Sequence, residues 1–326
     1  MPRSTSIAGF AWREPDLRAV TGSLAQLAAV RRFTFDDGPE HGVRGLAFDT
    51  GGGLAFSLLV DRSLDIGTLH WRGIPCAWQS PTGFRHPGLH DAEADGGRGF
   101  LRSFSGFLVT CGLEHIRQPR DGRPLHGGLP FTPARLTAHG ECWEAHEPHL
   151  FAEAEIVQAT SDGENWHLRR RIEAPIGGAT VRLVDTVTNR SRESRPQPIL
   201  YHINLGFPLL RPGAELYWGD ERLIGPFGRP DPAAKPEVVC HRVPGGGAPT
   251  ASLWAPGDMP MRLSLDIEPT TLPFIQTWHD PRPGMYVLGI EPSNADRAPD
   301  GTTIDTPDLL LPSGASRRYA LTVRLA

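Results

Sequence analysis

Side-chain alternation of period two recurs along this chain, and only an extended backbone sends alternate residues to opposite faces. In "LAFSLLVD", Leu54, Phe56, Leu58 and Val60 share one face; in "TVRLVDTVTN", Val181, Leu183 and Val187 do. In "MRLSLDIE", Met261, Leu263, Leu265 and Ile267 alternate with polar residues, and "RRYALTVRLA" sets Tyr319, Leu321, Val323 and Leu325 on one side. Each pattern predicts a half-buried antiparallel strand. The 37 glycines and 32 prolines are scattered, which suits many turns and opposes long helices. Only "DLRAVTGSLAQLAAVRRF" has helix-like Leu and Ala density, and Gly22 interrupts it. A short helix or a loop leading into "RRFTFDDG" is expected there. The stretches "HPGLHDAEADGGRG" (86–99) and "PGGGAPT" (244–250) read as surface excursions rather than linkers. The expectation is an all-β fold, a single large antiparallel β-sandwich of two stacked sheets over residues 1–326. Residues 1–30 form an N-terminal extension packed on it.

The net charge of −4 provides no basic excess to neutralise a phosphate backbone, so nucleic acid is not an expected partner. The single basic triplet, Arg169, Arg170 and Arg171, would alternate faces on a solvated strand. Cys76, Cys111, Cys142 and Cys240 are far apart, form no C-x-x-C pair and are expected as free thiols. "MPRSTSIAGFAWREPDLRAV" lacks an apolar core of signal-peptide length, and no stretch approaches the roughly 18 apolar residues of a membrane span. A cytoplasmic protein without membrane contact is the expectation.

Four stretches place ionisable groups where chemistry is possible. His202 sits inside the apolar run "LYHINLGFPLL", where a leucine would pack better. A lone histidine there is most simply a core residue with satisfied nitrogens. His126 opens "LHGGLPFTPA", whose glycines let backbone pass close to a ligand or another strand. Glu291 closes the apolar run of "VLGIEPSNA", where desolvation would raise its pKa. Asp61, Arg62 and Asp65 leave a strong strand in "LLVDRSLDIG", and an exposed ion pair is the simple reading there. Glu114, His115 and His126 match no established zinc spacing, so neither metal nor cofactor is expected.

Together, His126 in "LHGGLPF", His202 in "YHINLGF" and Glu291 in "GIEPSNA" resemble, in order and local wording, the galactose mutarotase-like superfamily of aldose 1-epimerases. "VDTVTNRS" and the strands before Trp78 resemble it too. "CGLEHIRQP" and "DRSLDIG" look more like a bacterial branch apart from the galactose enzymes. The resemblance implies a β-supersandwich with an open carbohydrate cleft and a monosaccharide or sugar derivative as substrate. It implies anomer interconversion with Glu291 as base, ionised at rest with a modestly raised pKa, His202 as acid, and His126 bonding the ring side. Arg62 would hold a hydroxyl or carboxylate, Arg117 and Trp278 would wall the cleft, and Asn204 and Asp65 complete the substrate-binding set. The substrate-binding aspartate of the galactose enzymes has no clear counterpart; Asp220 and Asp258 are the nearest candidates. Two other functions fit the same residues: an enediol-type isomerase or epimerase of keto sugars or sugar acids, and a non-catalytic sugar-binding module. A homodimer is compatible with all three.

Overall fold

The computed structural model describes residues 4–7, 9–243 and 250–326. All strand pairings between them are antiparallel. A nine-stranded sheet runs, edge to edge, through Glu221–Ile224, Glu215–Trp218, Thr250–Ala255, Met261–Ile267, Ser316–Leu325, Thr180–Asn189, Asn165–Pro175, His149–Ala159 and Arg135–Cys142. A five-stranded meander joins Ala29–Thr34, Arg44–Asp49, Leu54–Leu59, Asp65–Trp71 and Ile74–Pro75 in sequence order. A second five-stranded sheet carries the site and mixes distant segments in the order Glu237–Arg242, Phe274–Asp280, Val287–Ser293, Ile199–Leu205 and Leu108–Gly112. The expected β-sandwich is present, built from one large sheet and two five-stranded ones rather than two sheets, with small two-stranded pairs at Thr5–Ile7/Phe10–Trp12 and Arg195–Pro196/Leu310–Leu311.

The period-two segments are the strands. Thr180–Asn189 alternates half-buried and buried along its whole length. One continuous core takes Leu183 and Tyr319 from the nine-stranded sheet, Phe48 and Leu58 from the meander, and Ile203 and Ile290 from the third sheet. The helix-like opening segment becomes a helix over Glu14–Val20, which ends before Gly22, and Leu17 and Leu24 reach the core. The excursion at 86–99 is not a plain loop. Short helical turns at Pro87–Leu89, Ala94–Gly97 and Gly99–Arg102 fold it back so that Phe100 is buried. The excursion expected at 244–250 lies, except for Thr250, outside the described residues.

The arginine triplet departs from expectation. Arg170 is 1 % exposed and bonds Asp65 at 2.6 Å, Asp185 at 2.7 and 2.9 Å, and Thr110 Oγ1 at 2.9 Å. The alternation held, but the inward face meets buried carboxylates in place of water. The four cysteines are free. Among the described residues no helix is long and apolar enough to cross a membrane.

Candidate active site

Alternation on three neighbouring strands builds the site. In Ile199–Leu205, Ile199, Tyr201 and Ile203 enter the main core, so Leu200, His202 and Asn204 face the other way. In Val287–Ser293, Leu288 and Ile290 take the core face and leave Gly289 and Glu291 opposite. In Phe274–Asp280 the alternation sets Gln276, Trp278 and Asp280 on the same side. Register then aligns them. Gln276 pairs with Glu291, and the pairs Leu200–Ser293 and Ile203–Ile290 set His202 opposite Glu291. Directly paired residues on one face have touching side chains.

This face opens into a cleft of about 400 Å³ lined by His126, His202, Glu291, Arg117, Gln276 and Trp278. His202 Nε2 lies 3.2 Å from Glu291 Oε1, and both side chains are at most 5 % exposed. Gln276 Nε2 donates to Glu291 Oε2, and Gln276 Oε1 accepts from Arg117 Nε at 3.1 Å. Phe104 and Trp278 stand 4.8 and 5.5 Å from the His202 ring, edge-on. Gly289 leaves room for the pair, since a Cβ there would fall 2.9 Å from Glu291 Oε1 and 3.0 Å from His202 Cε1.

His126 enters from the Gly-rich turn. Its φ of 63° lies in the left-handed region, and Gly127 follows at 74°, where a Cβ would meet the His115 carbonyl oxygen at 2.4 Å. Glu114 pins the turn by accepting the Gly128 N–H at 2.7 Å. The Arg117 N–H donates to His126 Nδ1 at 3.3 Å, which leaves the proton of a neutral ring on Nε2. Burial, with His202 and Arg117 adding to it, holds the His126 pKa well below its usual value.

Burial governs the central pair. It pushes Glu291 up to about 8, against the Arg117 guanidinium and the Gln276 bond, and pushes His202 down to about 3. At neutral pH burial therefore favours a carboxylic acid beside a neutral imidazole. That rise exceeds the modest one expected for a base ionised at rest.

Six other expected positions lie away from the cleft. Asp65 is consumed by Thr110 N and Oγ1, at 2.7 and 2.6 Å, and by Arg170. Asn204 donates to the carbonyls of Gly106 and His202, behind the histidine. Arg62 is 2 % exposed and its Nη1 has no partner, but it does not line the cleft; burial lowers its pKa to about 10. Asp61 pairs with Arg44. Asp220 and Asp258 sit in turns of the nine-stranded sheet, and the acidic residue between His202 and Glu291 that lines the cleft is Asp280. Arg117 is at the cleft but spends its N–H groups on Gln276 and the carbonyls of Ala295 and Asp296. Glu114 and His115 face Gly128 and the Gln118 carbonyl, and among the described residues no three His, Cys, Asp or Glu side chains are grouped to hold a metal.

The sequence reading missed Gln276, Asp280, Phe104, Arg98 and Arg297. Gln276 and Asp280 were detectable, because each lies two residues from Trp278 on the same strand face. The others come from irregular segments with no periodic signal.

The family model described as a domain of unknown function, DUF4432, matches residues 40–325. No curated protein matches the chain. Among solved structures, the chain is similar to a candidate aldose 1-epimerase from Klebsiella pneumoniae, with TM-score 0.81 and 21 % identity over 93 % of this chain and 86 % of that one. A galactose mutarotase-like protein from Clostridium acetobutylicum gives 0.61 and 10 % over 91 % and 98 %. A galactose mutarotase related enzyme from Lactobacillus acidophilus gives 0.56 and 11 % over 84 % and 95 %. At these identities the likeness establishes the galactose mutarotase-like β-sandwich fold.

Proposed function

The chain belongs to the DUF4432 family, and from that premise we propose that it is an aldose 1-epimerase-like isomerase interconverting the anomers of a sugar by acid–base ring opening. The observation carrying this reading is the buried contact of His202 and Glu291, 3.2 Å apart at the floor of an aromatic-walled cleft.

Anomer interconversion needs one base and one acid at once. The base takes the proton of the anomeric hydroxyl while the acid protonates the ring oxygen. A pair carrying a single transferable proton supplies both. At rest that proton is on Glu291; its transfer to His202 across their contact leaves a carboxylate and an imidazolium with no change in total charge. Glu291 then accepts the anomeric proton as His202 gives its own to the ring oxygen, and the carbon–oxygen ring bond opens. The dyad is back in its starting form beside an open-chain aldehyde. Rotation about C1–C2 and the reverse transfers close the other anomer. His126, with its proton on Nε2, donates a hydrogen bond on the ring side, and Trp278 offers its face to sugar C–H groups. Arg117 holds Gln276, and Gln276 holds Glu291.

Exchange NMR on freshly dissolved sugars tests the reading. Glu291→Gln keeps the shape and removes the proton acceptor, so turnover should fall at least about a hundredfold with folding intact. His202→Gln should do the same, without the two deficits adding. Near-wild-type turnover in Glu291→Gln would sink the proposal. Deuterium entering a carbon position from heavy water would replace mutarotation by enediol chemistry, since mutarotation exchanges only oxygen-bound protons.

A further inference from the structure

The cleft is lined by four guanidiniums, Arg98, Arg117, Arg282 and Arg297, against two carboxyl groups, Asp280 and Glu291. Arg282 is committed to Asp280, with Nε–Oδ1 at 2.9 Å and Nη2–Oδ2 at 2.6 Å. Arg117 is committed to Gln276 and two carbonyls. Arg98 and Arg297 remain. Among the described residues neither has a carboxylate within ion-pair reach, and the Arg297 guanidinium donates only to the Ala298 carbonyl, at a long 3.4 Å. The adjacent Asp296 uses Oδ1 on the Arg297 backbone N–H at 2.7 Å and does not line the cleft. Gly301, at φ 89°, lies against Arg297, where a Cβ would fall 3.1 Å from Nη2. Arg297 also lies close enough to Arg117 and Glu291 to lower the pKa of both.

A half-buried guanidinium facing a cavity whose carboxylate Asp280 is already held by Arg282, and whose Glu291 is pushed towards its neutral form by burial, lacks a counter-charge. Neutral hydroxyls do not provide it, whereas an anionic ligand group does, through charge-assisted hydrogen bonds. Resting on the reading of the cleft as a sugar site, we propose that its substrate is a monosaccharide carrying an anionic substituent, a carboxylate or a phosphate, received by Arg297 with Arg98 at the cleft mouth.

Methyl glycosides cannot open their rings, so their binding tests charge preference apart from turnover. Calorimetry would compare methyl glucoside and methyl galactoside with their uronate and 6-phosphate counterparts, at low salt and at about 0.5 M. At least one anionic glycoside should bind about tenfold or more tighter than its neutral parent, the scale of one charge-assisted hydrogen bond. The preference should shrink in high salt and in Arg297→Gln, and the uronate and phosphate arms identify the anion. Equal affinities, no binding of any anionic glycoside, or a preference that survives in both Arg297→Gln and Arg98→Gln would overturn the proposal. If anionic glycosides are preferred but no free sugar is anomerised above background, the mutarotase reading fails while the charge assignment stands.

Discussion

His202 answers a packing question with a chemical one. A leucine at its position would bury more apolar surface, but the imidazole meets Glu291 at 3.2 Å, the contact on which the proposed proton relay rests. Two pH limits follow from the shifts. Above about 8 Glu291 loses its proton and no acid remains; below about 3 His202 gains one and no base remains. The profile of kcat/KM should therefore stay flat from pH 7 down through 5, where an ordinary histidine would titrate, and fall on the alkaline side near 8. A loss of activity between pH 7 and 6 in anomerisation assays would show that His202 is not held neutral. Gly289 tests the geometry without replacing a titrating group. Gly289→Ala sets a methyl 2.9 Å from Glu291 Oε1, so turnover should drop roughly tenfold to a hundredfold. The fold should survive at a cost of about 1–3 kcal/mol for one crowded methyl, because nothing in the φ of Gly289 requires glycine.

At the scale of elements, the strands are positioned by polar groups as much as by apolar ones. Arg170 and Asp185 are cross-strand partners in the nine-stranded sheet. Their side chains reach across the core to Asp65 of the meander, and to Thr110 and Tyr201 of the cleft sheet, where Tyr201 Oη donates to Asp185 at 2.8 Å. Tyr201 is the immediate neighbour of His202, so one ion-pair network indexes all three sheets beneath the dyad. Arg170→Met would leave two buried carboxylates without a cation and should cost about 3–5 kcal/mol in urea unfolding. A loss under about 1 kcal/mol would mean that water or protonation replaces the guanidinium at little cost. This network accounts for the places of Asp65 and Arg170, which the sequence reading put at the substrate and in solvent. Charged residues beside a strand end look alike whether they face solvent, substrate or another sheet.

For the molecule as a whole, the core is continuous from the meander through the nine-stranded sheet to the cleft sheet, and Leu17 and Leu24 of the opening segment are part of it. We expect one cooperative unit, so far-UV circular dichroism and tryptophan fluorescence should give coincident urea transitions. Two resolved transitions would divide the chain into separate folding units. Sequence alone determined the strands themselves, because period-two patterning is a local property: Leu54–Leu59, Thr180–Asn189, Met261–Ile267 and Ser316–Leu325 were all legible from it. It also singled out His126, His202 and Glu291, since an ionisable group in an apolar or glycine-rich run is conspicuous in one dimension. What only the tertiary structure decided is which groups share a wall. The cleft sheet draws adjacent strands from residues 108, 199, 237, 274 and 287 onward, and its register brings Gln276, Glu291 and His202 into one row. The same assembly turned Asp65 inward to Arg170, spent Asn204 on the Gly106 carbonyl behind His202, and folded the 86–99 excursion back to bring Arg98 to the cleft. Strand pairing over such separations is settled by the burial of every face at once, and no local stretch of sequence carries that information.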